Sequence, residues 1–96
     1  MKNKIKIGHQ VYKVVYPNSG LLSAEDGQTD FNTNTISVDK TLIPSQLETT
    51  LAHEILHVLI HQSGSCEIVK ENEELLVRTM EDIFYTFLKE NTNFYV

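Results

Sequence analysis

The chain reads as an α+β protein, two β-hairpins followed by two helices, because its hydrophobic spacing changes once along its length. Up to about residue 39, apolar side chains alternate with polar ones, the two-residue period of half-buried strands. After Pro44 they recur every three or four residues, as on a helix, and no later proline interrupts them. The sheet is expected to be small, antiparallel or mixed, and packed on the two C-terminal helices.

The elements follow in order. Ile5 and Ile7 make one run and Val11, Val14 and Val15 the next, with Gly8, His9 and Gln10 as the turn between them. Pro17, Asn18, Ser19, Gly20 and Gly27 then break the pattern, so a loop is expected, with a short helical turn over residues 21–25. A second hairpin pairs residues 28–31 with residues 35–39, where Ile36 and Val38 alternate against Thr35, Ser37 and Asp39. Pro44 suits the first turn of a helix over residues 44–62, with Ser45 or Thr41 as its cap and Gly64 able to close it in the left-handed conformation. Leu51, Ile55, Val58 and Leu59 of this helix are expected to lean on the sheet. A last helix is expected over residues 67–90, its early glutamates complementing the helix dipole and Leu76, Met80, Ile83, Phe84 and Phe87 forming its apolar stripe. The tail from Asn91 is expected to be loosely held.

The bulk composition narrows the possible functions. Ninety-six residues, 41% of them hydrophobic, suit one domain over residues 1–96 and are too few for two independent cores. Eight Lys plus Arg against thirteen Asp plus Glu give a net charge of −5, which argues against a nucleic-acid surface, since phosphate binding needs a basic patch. A single cysteine, Cys66, cannot form an internal disulfide, and its expected role is packing. No signal peptide or membrane-spanning run is read, so a cytoplasmic location is expected.

The chemistry is concentrated in "LAHEILHVLIHQSG". His53, Glu54 and His57 form H-E-x-x-H, and two histidines four residues apart on a helix share one face, so both imidazoles can reach one ion. Zinc takes neutral imidazole nitrogen and, in a catalytic site, three protein ligands with a fourth position left for water. Glu54 is expected to act as general base on that water. The third ligand should come from the acidic cluster downstream, which offers Glu67, Glu71, Glu73 and Glu74. Helical periodicity slightly favours Glu73, nearest the centre of the expected apolar stripe. His61 continues the series from His57, but three histidines over two turns cannot meet one tetrahedral ion, so it is read as a half-exposed last-turn residue.

Across "TLAHEILHVLIHQSG" and "ENEELLVRTMEDIFYTFLKEN" the chain resembles small phage- and prophage-encoded zinc metallopeptidases. These have a short β-rich N-terminal part, an H-E-I-x-H helix and a final E-E-x-x-V helix. It is also distantly similar to the ImmA/IrrE peptidase type, in which the third ligand is a glutamate followed three residues later by a small or branched apolar residue. That pattern falls on Glu74 and Val77, so the resemblance prefers Glu74 as third ligand and keeps Glu73 in reserve. It implies a minimal zincin-like fold, Zn2+ as cofactor, a peptide or protein substrate, and the host cytoplasm as setting.

Two functions compete at this point. One is a zinc peptidase in which His53, His57 and Glu74 hold the ion and Glu54 activates water. The other is a phage accessory protein whose structural zinc site supports binding to a host or phage protein. In the first, residues 34–38 are expected at the cleft edge, pairing with an extended substrate.

Overall fold

In a computed structural model of the chain, residues 3–18 and 26–95 are described. The order is β1 (Lys4–Ile7), β2 (Gln10–Val15), β3 (Gly27–Asp30), β4 (Thr35–Val38), α1 (Pro44–Ser63), a short α2 (Cys66–Val69), one 3-10 turn (Lys70–Asn72) and α3 (Glu73–Asn91). The helical turn expected over residues 21–25 lies outside the described residues.

Both expected hairpins are present, and together they make one mixed sheet in the order β1-β2-β4-β3. β1 pairs antiparallel with β2, the turn closing at Gly8, whose φ of 61° an L side chain rarely adopts. β3 pairs antiparallel with β4, and β2 with β4 is the parallel pair, Val14 opposite Ile36. Asp30 Oδ1 accepts the amide N–H of Asn32 at 2.8 Å and so closes the second turn locally. β4 is therefore an interior strand. The expectation that residues 34–38 form the cleft edge is corrected: the edge strand is β3, because the parallel β2–β4 pairing uses the other side of β4.

One face of the sheet carries Tyr12, Val14, Ile36 and Val38, all buried, and α1 covers them with Leu51, Ile55 and Val58. Three of the four α1 residues expected to lean on the sheet do so. Leu59 does not; it is 39% exposed, about 100° round the helix from Val58. Neither Ser45 nor Thr41 caps α1. Its N-cap is Ile43, with Pro44 beginning the helix, and Thr41 instead gives its amide and hydroxyl protons to the buried Asp39 Oδ1 at 2.8 and 2.7 Å. Gly64 closes the helix at φ 76°, as expected.

The second helix departs from expectation in two ways. It is not continuous from residue 67: Lys70 adopts φ 44° and ψ −119°, which ends α2, and α3 starts afresh at Glu73. The face of α3 that meets α1 is also only in part the expected apolar stripe, of which Phe84 and Leu76 are half-buried. Val77 and Leu88 are buried there and Phe84 packs against the core, whereas Met80, Ile83 and Phe87 are 42%, 71% and 55% exposed. The inward row 74, 77, 81, 84, 88 has heptad spacing, and two of its five members are glutamates. The tail is docked rather than loose: Phe94 and Tyr95 pack on the core, and the Tyr95 hydroxyl donates to the Glu48 carbonyl at 3.0 Å.

Candidate metal centre

α1 and α3 lie antiparallel, as the pairing of His57 with Glu73 and of His53 with Glu81 requires. Between them and β3 opens a cleft of about 690 Å³, with Gly27 and Thr29 on one wall and His53, Glu54, His57 and Glu74 on its floor. β3 can approach this closely because Gly27 has no side chain. A Cβ there would stand 2.7 Å from Thr50 Cγ2 and 3.4 Å from Glu54 Cγ.

His53 and His57 sit one turn apart on α1, each with 17% of its side chain exposed. Their Nε2 atoms are 3.3 Å apart. Glu74, on the first turn of α3, bridges them: Oε1 is 3.0 Å from His53 Nε2 and Oε2 is 2.9 Å from His57 Nε2. Ligand atoms from the three residues all lie within 4.8 Å of one another. Two nitrogens each about 2.0–2.1 Å from a tetrahedral ion stand roughly 3.3 Å apart, so the histidine spacing already suits zinc. A carboxylate and two imidazoles are also a donor set that zinc accepts.

The other ring nitrogens point outward. His53 Nδ1 is 2.5 Å from Glu81 Oε1, and His57 Nδ1 is 2.6 Å from Glu73 Oε2. Of the two candidates for third member, then, Glu74 joins the cluster, and Glu73 lies on the far side of the His57 ring. Arg78, one turn beyond Glu74, places Nε 3.5 Å from Glu74 Oε1 and is largely exposed at the cleft mouth.

Glu54 is only 8% exposed. Burial raises its pKa, while the Thr29 hydrogen bond and the two nearby imidazoles pull the other way. The Thr29 hydroxyl donates to Glu54 Oε1 at 2.7 Å and so fixes the carboxylate plane. His61 stands outside the cluster, its ring stacked on Phe31 with centroids 4.0 Å apart. Cys66 faces the Ile60 carbonyl at 4.0 Å, at the end of α1. Glu67 and Glu71 are exposed and are not part of the cluster.

Of the residues the sequence singles out, His53, Glu54, His57 and Glu74 line one cleft, and Thr29, Gly27 and Glu81, which it does not single out, line it with them. Nothing local marks Thr29 or Gly27, since a strand joins the site only through the sheet's edge. Glu81 did leave a signal: it is seven residues after Glu74, two turns along the same face. No protein-family model, curated protein or solved structure matches the chain.

Proposed function

We propose that the chain is a zinc-dependent peptidase. The observation that carries this reading is the convergence of His53 Nε2, His57 Nε2 and the Glu74 carboxylate on one point beside Glu54, with the two nitrogens at tetrahedral spacing. His53, His57 and Glu74 would hold the ion. Bound there, zinc supplies Lewis acidity, which acidifies water and polarises a carbonyl.

The chain's own residues supply the rest. Glu54, raised in pKa by burial, is the general base: Thr29 occupies Oε1, and a water proton passes to the carboxylate and from there to the leaving amine. β3, the sheet's edge at the cleft, offers backbone groups to which an extended peptide can add as a further strand. The helical resemblance sets this activity in a phage or prophage context in the host cytoplasm.

A second reading, a binding module with a structural ion, draws support from the exposed outer row of α3, Met80, Ile83 and Phe87. One experiment separates the two: zinc per chain and peptide hydrolysis for the wild type and for Glu54→Gln. The peptidase gives one zinc in both proteins and turnover in the wild type alone. Zinc without turnover in either leaves the structural ion.

A further inference from the structure

We infer that Glu81 and Glu73 are positioning residues, each fixing one histidine of the cluster in the tautomer that presents Nε2 to an ion. The inference rests on the zinc reading above and adds two residues to it that do not touch the ion.

An ionised carboxylate only accepts hydrogen bonds, so a ring nitrogen 2.5 or 2.6 Å from one carries the proton. A neutral imidazole has a single N–H. With His53 Nδ1–H given to Glu81 and His57 Nδ1–H given to Glu73, both Nε2 atoms are bare acceptors. They face each other at 3.3 Å and face the Glu74 oxygens at 3.0 and 2.9 Å, so acceptors surround one point. A divalent cation satisfies all of them at once.

The ordinary account of acidic residues near a helix start does not cover Glu81. Complementing the helix dipole works within the first turn, and Glu81 is in the third turn of α3, with 27% of its side chain exposed. Glu73 is in the first turn, yet it too is turned inward, 29% exposed against 49% for Glu74. Helix α3 thus brings one ligand and both orienting acceptors against the histidine face of α1. A carboxylate on the outer nitrogen makes the inner one a better donor to metal as well as fixing the ring.

The test is zinc affinity, by chelator competition with zinc ion alone, and the visible spectrum of the cobalt-loaded chain. The proteins are wild type, Glu81→Gln, Glu81→Leu, Glu73→Gln and, as control, Glu71→Gln. Expected are one zinc per chain at saturation in all five and affinity about 10- to 100-fold weaker in the Glu81 and Glu73 variants. Glu81→Leu should lose more than Glu81→Gln, whose amide oxygen still accepts the Nδ1 proton. The cobalt bands should shift in the same order while the metal-free melting temperatures stay close to wild type. Unchanged affinity in variants of a wild type that binds zinc overturns the inference and leaves the metal centre standing. Lost stoichiometry in Glu73→Gln overturns it too, by making Glu73 a ligand, as does an affinity loss matched by destabilisation of the metal-free chain. A wild type that takes up no zinc overturns the metal centre and this inference with it.

Discussion

Thr29 on the edge strand donates its hydroxyl proton to Glu54 Oε1 on the motif helix, across 2.7 Å and 25 positions of sequence. A general base works only when its free oxygen is aimed, and here the aim comes from the sheet rather than from the helix that carries the base. Thr29→Val keeps the shape and removes the donor. It should lower kcat/KM about 5- to 30-fold, the equivalent of about 1–2 kcal/mol, with zinc per chain unchanged. Steady-state hydrolysis alongside metal analysis decides this, and wild-type turnover in the variant would make the bond idle.

Gly27 sets the distance over which that hydrogen bond forms. Gly27→Ala places a methyl 2.7 Å from Thr50 Cγ2 and 3.1 Å from the Ser37 carbonyl oxygen, so either β3 or Thr50 must move. We expect a loss of about 1–3 kcal/mol in chemical denaturation. Thr50→Ser, which deletes the closest methyl, should recover part of it in the double variant. Simple additivity of the two changes would show that Thr50 is not the obstacle.

Burial raises the Glu54 pKa, so the folded metal-free chain holds a proton there more tightly than the unfolded chain does. Its contribution to stability is complete below the ordinary carboxylate range and is lost as pH rises through the raised value. At neutral pH the buried charge then weighs against the metal-free fold. Glu54→Gln, neutral throughout, should raise the melting temperature of chelator-treated protein at pH 7, and the gap from wild type should close as pH falls toward about 4. Calorimetry across that range checks the sign, and a gap independent of pH would contradict it.

The orientation of α3 can be tested by stability alone. Leu88→Ala removes a buried side chain and should cost about 2–4 kcal/mol, whereas Ile83→Gln, at a 71% exposed position, should change stability by less than about 0.5 kcal/mol. Urea midpoints for the two variants are sufficient. The opposite ranking would mean that Ile83, and with it Met80 and Phe87, faces inward after all.

The expected stripe, Leu76, Met80, Ile83, Phe84 and Phe87, takes in the outward-facing Met80, Ile83 and Phe87 for a chemical reason. It is apolar throughout, and the row that packs against α1 is interrupted by Glu74 and Glu81, the carboxylates that meet the histidines. A rule that seeks the greasiest stripe is misled where a helix buries part of a polar centre. The motif helix was legible because His53 and His57 sit on an otherwise apolar element and Gly64 marks its end. Both hairpins were legible from alternation. Their order in the sheet was not, since the parallel contact of Val14 with Ile36 joins segments that no turn connects. That contact leaves β3 rather than β4 at the edge, and Thr29 and Gly27 enter the site by that route.

Lys70, with its positive φ, separates two lengths of chain that obey different tolerances. A residue gained or lost between Gly64 and Lys70 can be absorbed by rearranging the single short turn of α2. The same event between Glu74 and Glu81 swings everything after it by about 100° and carries Glu81 off the His53 ring. Length is therefore free to change between Gly64 and Lys70, while between Glu74 and Glu81 the count of residues is as constrained as their identity.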